Sequence, residues 1–238
     1  MINKQDNLKQ IKIQEFKIIY EIDKYAFQPS ENGLFYANSL TIKTGERVID
    51  IGTGTGILAI YAAKKGATVC ATDINNKLIT LVEKNMQLNE VQIEIRIGTF
   101  FSDFTGLFDV IIANLPNEIV PESYTSSIGK QVAETFDGGK NGNELILSLL
   151  QQASKYMHRQ SRLYLPVHAL TDYHQVLKTA IAHYNARLIA IASLPVKTFV
   201  TNNLDFYIDL DKQGIVSLFK KAEKWYTYGY VYELTLKN

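Results

Sequence analysis

VIDIGTGTGILAI, residues Val48 to Ile60, joins a β-branched run to a helical run through three glycines at alternate positions, Gly52, Gly54 and Gly56. Glycines at such a junction let the chain turn tightly and let a ligand approach the backbone, while the helix start beyond them offers unpaired N–H groups and positive potential. A nucleotide-like ligand suits that place. A dinucleotide fingerprint needs its third glycine three positions after the second, where this chain has Ile57. Asp50, two residues ahead of Gly52, would repel a pyrophosphate but not a cation. Downstream, ATDI ends a second strand on Asp73, where open α/β sheets present a carboxylate to ribose hydroxyls. The pattern therefore points to a nucleoside bearing positive charge.

Outward from this stretch, short β-branched runs alternate with helical patterns, the mark of βα units feeding a parallel sheet. RVIDI, TVCATD, IEIRI and FDVIIAN read as strands, with helices over GILAIYAAKKG and NNKLITLVEKNMQLN. NGNELILSLLQQASKYM, RLYLPV and DYHQVLKTAIAHY follow as helix, strand and helix. In the last helix Tyr173, Leu177, Ile181 and Tyr184 form one stripe, expected to pack into the core. YTYGYVYELTL alternates strictly and reads as a final antiparallel strand covering a helix layer; its tyrosines could also stack bases. Before Glu46, IKIQEFKIIYEI reads as a strand or hairpin, AFQPSENG as a loop and LFYANSLTI as a helix. The expected architecture is a doubly wound, mostly parallel seven-stranded α/β sheet over 46–238, preceded by an N-terminal extension or lid over 1–45.

DIGTGTG with Asp73 downstream resembles the cofactor site of the class I S-adenosylmethionine-dependent methyltransferases. That resemblance implies a Rossmann-like fold and S-adenosylmethionine as cofactor. It places Asp50, Gly52, Thr53, Gly54 and Gly56 around the amino-acid part of the cofactor. Asp73, with Ile74 beside it, would meet the ribose. Family members often carry an acid after the third strand for the adenine amino group. Here RIGTFFSDF offers Thr99 to accept a hydrogen bond and Phe100 to flank the ring, in preference to Asp103.

The fourth strand ends in Asn114-Leu115-Pro116-Asn117. An asparagine side-chain oxygen and the next backbone carbonyl can accept both N–H hydrogens of a planar nitrogen and favour its pyramidal form. A following proline fixes that carbonyl. The motif is similar to the Asn-Pro-Pro-Tyr of amino-methylating enzymes. With AETFDGGKNGNELI it resembles the release-factor glutamine methyltransferases, which implies catalytic roles for Asn114, Leu115 and Pro116 and a cofactor contact for Asn114. FQPSENG resembles the proline loop of the same families, placing Gln28 and Pro29, with Asn117, at the substrate. Two departures stand out: Leu115 replaces a proline, and Asn117 replaces the tyrosine that packs on a flat acceptor.

The expected reaction is methyl transfer to a nitrogen acceptor, a protein glutamine amide foremost. RNA or a small metabolite, at nitrogen or oxygen, is the alternative acceptor, since Asn-Leu-Pro turns also occur in tRNA guanine methyltransferases. A nucleoside-binding protein without catalysis is the rival of another class.

A net charge of +1 over 238 residues supplies no global field for nucleic acid, which disfavours such a partner. The single cysteine, Cys70, excludes an internal disulfide and a cysteine-rich metal site. No signal-like start and no membrane-length apolar run is read, so a cytoplasmic protein is expected, without membrane partner or metal. His158, His168, His174 and His183 lack metal-ligand spacing, and only His168 follows a strand at the expected active edge. Glu118 reads as a surface loop residue, and Lys220, Lys221 and Lys224 as a solvated helix face.

Overall fold

The computed structural model describes residues 8–22, 29–128 and 135–237. By contact density the chain divides into two units, one of residues 1–114 and 155–164, the other of 115–154 and 165–238.

In the first unit the sheet order is β5 (Glu94–Ile97), β4 (Thr68–Asp73), β3 (Arg47–Ile51), β6 (Phe108–Ala113) and the start of β7 (Met157–His168). All these neighbours pair in parallel. Unbroken apolar runs suit strands covered on both faces, and Val48, Ile49, Val110, Ile111 and Ile112 are all buried to completion. Two helices lie between the strands in sequence, α2 (Ile57–Lys64) and α3 (Ile79–Asn89), the latter entered through a 3-10 turn at Asn76–Leu78.

The N-terminal segment forms a hairpin, β1 (Leu8–Ile13) and β2 (Phe16–Glu21), followed by α1 (Glu31–Ser39). Two buried asparagines one turn apart on α3 dock β2 as a neighbouring strand would. Asn89 Oδ1 accepts from the Ile19 N–H at 3.1 Å and its Nδ2 donates to the Ile19 carbonyl, while Asn85 treats Glu21 in the same way. Helix α1 begins inside the stretch expected as a loop, AFQPSENG, because the Ser30 hydroxyl accepts from the Gly33 N–H at 3.2 Å and caps it at Glu31. The Tyr36 hydroxyl of this helix donates to the Tyr164 carbonyl at 2.9 Å and accepts from the Ala113 N–H at 3.2 Å. It thereby fixes the end of β6.

In the second unit the last residues of β7 are followed by α6 (Tyr173–His183) and β8 (Tyr184–Pro195), preceded in sequence by α4 (Glu122–Ile128) and α5 (Glu144–Ala153). The order there is β7, β10 (Lys224–Leu236), β8, with the three-residue β9 (Phe219–Lys221) also on β10. Strand β10 runs antiparallel to β8 and β9. The seven-stranded, mostly parallel sheet expected from the sequence is thus present, with an added hairpin at the N-terminus. Helices α7 (Thr198–Asn202) and α8 (Leu204–Lys212) join β8 to β9, and Phe199, Val200 and Tyr207 pack with Val120, Leu170 and Leu218 into one core cluster.

Three expectations need correction here. The buried face of α6 is Val176 and Ala180, while Ile181 is 58% exposed, so the expected stripe is rotated. In β10 the buried side is Thr227, Gly229 and Val231, and the tyrosines lie half-exposed, Tyr228 stacked on Phe219 at 4.7 Å between ring centres. Lys220 and Lys221 belong to β9 and Lys224 opens β10, so the lysine cluster is a hairpin and not a helix face.

Candidate active site

The glycine loop follows β3 directly, and all three glycines have positive φ, 69°, 58° and 81°. At Gly56 a side chain is also sterically barred, since a Cβ would lie 2.8 Å from Val82 Cγ1 on α3. The Gly52 and Thr53 N–H groups donate to the Thr72 carbonyl at 2.9 and 3.0 Å, which ties the loop to the end of β4.

Asp50 sits beneath this loop, 1% exposed. Its Oδ2 accepts from Thr53 Oγ1 at 2.7 Å and from the Ala59 N–H at 3.1 Å, so it caps α2 from below in place of the side chain Gly56 lacks. Its Oδ1 is buried without a partner. Burial pushes the carboxyl up to about 7 despite these donors. An acceptor left unmatched in this way fits an ammonium group and no anion.

Asp73 ends β4 and is bound to the same loop. Its Oδ2 accepts from the Gly54 N–H at 2.9 Å and its Oδ1 from the Asn75 N–H at 2.9 Å. Each oxygen retains a lone pair, enough for two vicinal hydroxyls. Ile74, 73% exposed, and Ile97, 58% exposed and in register with Asp73, leave apolar surface beside it. The sequence reading did not single out Ile97; its place at the end of the IEIRI strand was the available signal.

Thr99 is exposed and Phe100 half-exposed. Phe101, not Phe100, enters the core, stacked on Tyr156 at 3.9 Å. The Phe100 carbonyl accepts from Thr72 Oγ1 at 2.7 Å, holding that turn against β4 with Phe100 at φ 49°. Asp103 is exposed, and its carbonyl accepts from Arg96 Nη1 at 2.6 Å.

A small, open cleft lies over the loop. Gly52, Thr53, Gly54 and Thr55 line one side, Pro29, Ser30, Gly33 and Leu34 another, and Asn114 also borders it. Asn114 Nδ2 lies 3.7 Å from the point where a Cβ on Gly33 would stand, so glycine there leaves room beside the amide. Asp73, Ile74, Thr99 and Phe100 do not line this cleft. Gln28 falls outside the described residues.

In the second unit Leu115 and Pro116 are half-buried and Asn117 is buried. The DGGKNG turn holds the chain that follows them. The Glu118 N–H donates to the Phe136 carbonyl at 3.2 Å, the Gly138 N–H to the Glu118 carbonyl at 2.9 Å, and the Ile119 N–H to the Leu170 carbonyl at 2.9 Å. At Gly142, with φ 70°, a Cβ would lie 2.8 to 2.9 Å from the Ile119 nitrogen, the Glu118 carbonyl carbon and Thr171 Oγ1.

Glu118 is the main correction: far from a surface residue, it is 2% exposed. Its Oε1 pairs with Lys197 Nζ at 2.7 Å, while Oε2 is buried without a hydrogen-bond partner. His168 is 5% exposed, with Nδ1 likewise unmatched, and burial pulls its imidazole down to about 4. His158 instead pairs with Asp109 at 2.8 Å, far along the strands from the loop ends, and His174 and His183 are exposed. Among the described residues no group of three or more His, Cys, Asp or Glu side chains could hold a metal ion, and no helix is long and apolar enough to cross a membrane.

Residues 33–138 match the family described as ribosomal protein L11 methyltransferase (PrmA). A Methanocaldococcus jannaschii protein, provisionally named a protein N5-glutamine methyltransferase, is 33% identical over 134 residues, covering 56% of this chain and 67% of that one. The Thermotoga neapolitana ribosomal protein L11 methyltransferase is 39% identical over 79 residues, 33% of this chain, and the match spans only 30% of that protein's length. The crystal structure of a ribosomal protein L11 methylase from Lactobacillus delbrueckii subsp. bulgaricus shares the fold, with TM-score 0.53 and 19% identity over 90% of this chain and 82% of that one. The chain belongs to the class I S-adenosylmethionine-dependent methyltransferases, related to the ribosomal protein L11 methyltransferases.

Proposed function

We propose that the protein methylates a nitrogen of a protein acceptor, a glutamine-type side-chain amide. The observation that supports it is the position of Asn114 at the rim of the cleft formed by the glycine loop, at the carboxyl end of β6. The name of the Methanocaldococcus jannaschii relative favours the same acceptor.

S-adenosylmethionine, when bound, supplies an electrophilic methyl on a sulfonium. The chain's own groups would hold it as follows: the glycine loop borders the amino-acid part with the Asp50 carboxyl beneath it, Asp73 takes the ribose hydroxyls, and Ile74 and Ile97 offer apolar surface to the adenine, with Thr99 and Phe100 at its edge. Asn114 Oδ1 and the Leu115 carbonyl, consecutive along the chain, would each accept one amide N–H. Two acceptors set at fixed directions oppose the planar amide and favour the pyramidal nitrogen whose lone pair attacks. Pro116 restricts Leu115 to extended backbone, which stiffens that carbonyl. Pro29, on the cleft wall, would border the acceptor, and residues 1–45 would act as its lid or platform.

Incubating the protein with methyl-labelled cofactor and a cell lysate tests the reading. Label entering protein and recovered as an N-methylated amide is expected; label entering RNA or a metabolite would replace this acceptor, and no label would leave a binding protein.

A further inference from the structure

Strand β10 carries Lys224, Tyr226, Tyr228, Tyr230 and Tyr232 at alternate positions on one face, and none of the five is buried. Its neighbours extend that face. On β9, Phe219 lies opposite Tyr226 and Lys221 opposite Lys224. On β8, Pro195, Ser193 and Ile191 lie opposite Tyr226, Tyr228 and Tyr230, and all three are exposed. The Tyr228 and Tyr230 rings stand 6.1 Å apart at 31°, and Tyr230 and Tyr232 6.4 Å apart at 42°, side by side with ring surface left to solvent. Two groups on this face lack a partner within the chain. Lys221 and Lys224 are exposed and make no ion pair among the described residues, although like charges set directly opposite one another cost stability. The hydroxyls of the four tyrosines likewise make no hydrogen bond among the described residues and are not buried. The whole face belongs to the second unit.

We propose that this face of β8, β9 and β10 binds single-stranded RNA, its bases stacked along the tyrosine row and its phosphates held at one end by Lys221 and Lys224. Aromatic side chains at alternate positions of an open sheet face are a platform for successive unpaired bases, since every base has a π-face. Paired bases cannot reach a flat sheet in this way. The phosphates supply the negative charge that the lysine pair lacks; Glu223, in the same hairpin, is engaged by Lys220 at 3.1 Å. An acidic peptide would satisfy the lysines and leave the rings unused. A proline-rich peptide seats in an aromatic-lined groove and brings no charge to the lysines. The tyrosine hydroxyls donate and accept, as a 2′-OH does, which favours RNA over DNA. A net charge of +1 adds no long-range field, so the contact is local and rests on stacking with two phosphates. The RNA is bound here and not methylated, so the inference stands apart from the proposed acceptor.

The test titrates the full chain into a fluorescein-labelled, non-self-complementary RNA of about twelve nucleotides and follows anisotropy across a salt series. DNA of the same sequence, the RNA annealed to its complement, and a glutamate peptide of equal length are the comparisons. The single-stranded RNA is expected to bind at least about tenfold tighter than the duplex or the peptide, and at least about threefold tighter than the DNA. Each of Tyr228→Leu and Tyr230→Leu should weaken it at least about fivefold, the lower end of what one stacked base is worth. Lys221→Gln with Lys224→Gln should lower the slope of log affinity against log salt by about 1.4, at about 0.7 per phosphate contact. Should a leucine variant unfold, Tyr228→Phe with Tyr230→Phe keeps both rings and is expected to retain DNA binding while narrowing the preference for RNA. No anisotropy change up to about 100 μM protein, equal binding of DNA, duplex or peptide, or an unchanged salt slope in the lysine variant would overturn the platform.

Discussion

Gly54 donates its backbone N–H to Asp73 Oδ2 at 2.9 Å, so the glycine loop and the carboxylate at the end of β4 are one structural piece. Replacing Asp73 by alanine releases the loop and, on the proposed assignment, removes the ribose contact with it. Cofactor affinity should fall by roughly 10- to 100-fold, the worth of about 1.5 to 3 kcal/mol for hydrogen bonds to a charged group. Calorimetric titration with S-adenosylhomocysteine measures it, and an affinity within threefold of the unmodified protein would count against the assignment.

Asp50 sets a pH dependence. Burial raises its folded carboxyl to about 7 from the ordinary 3.8, so the folded protein holds this proton where the unfolded chain has lost it. Stability of the ligand-free protein should therefore decline as pH rises from about 4 to about 7 and level off above, with the contrast removed in Asp50→Asn. A bound ammonium favours the ionised carboxylate, so cofactor affinity should weaken toward tenfold per unit as pH falls below about 7. Melting temperature and binding, each followed against pH, check both signs.

Tyr36→Phe deletes the hydroxyl that joins the Ala113 N–H to the Tyr164 carbonyl, leaving both backbone groups buried without it. Destabilisation of about 2 kcal/mol is expected in urea unfolding, since each orphaned buried group costs about 1 to 3 kcal/mol and partial relaxation recovers some.

Gly142→Ala should destabilise by about 3 kcal/mol or more, because a left-handed φ of 70° combines with contacts to rigid backbone at 2.8 and 2.9 Å. Gly45→Ala is the comparison: φ is 83° but nothing lies within 4 Å, so only the conformational cost of about 1 to 2 kcal/mol applies. Equal losses in urea unfolding would mean that the DGGKNG turn is not pressed on the Glu118 segment.

The fold was legible wherever local pattern and tertiary role coincide. RVIDI and TVCATD are buried beyond their first residue because both faces of a parallel strand are covered, and the glycine loop between strand and helix has few other uses. Helix α6 was placed correctly yet its face was misjudged, since Ile181 fits a helical stripe as well as Ala180 does and only packing chooses. NARLIAIASLP, the edge strand β8, passed unassigned although Leu188 to Ala192 is an apolar run; as an edge strand it leaves these side chains half-exposed or exposed. The places of Asp50 and Asp73 near the carboxyl ends of β3 and β4 were readable from the strand pattern. Glu118 was not: an acid after a turn looks solvated until Lys197, 79 positions away, is brought to it, and no local signal announces such a pairing.

The central claim is that Asn114 orients the accepting nitrogen within a cofactor cleft that exists without it. Methyl transfer and cofactor affinity should be measured together in Asn114→Ala. A fall in transfer of about 100-fold or more, with S-adenosylhomocysteine bound within about threefold of the unmodified protein, is the predicted result. Transfer that persists undiminished in Asn114→Ala would contradict it.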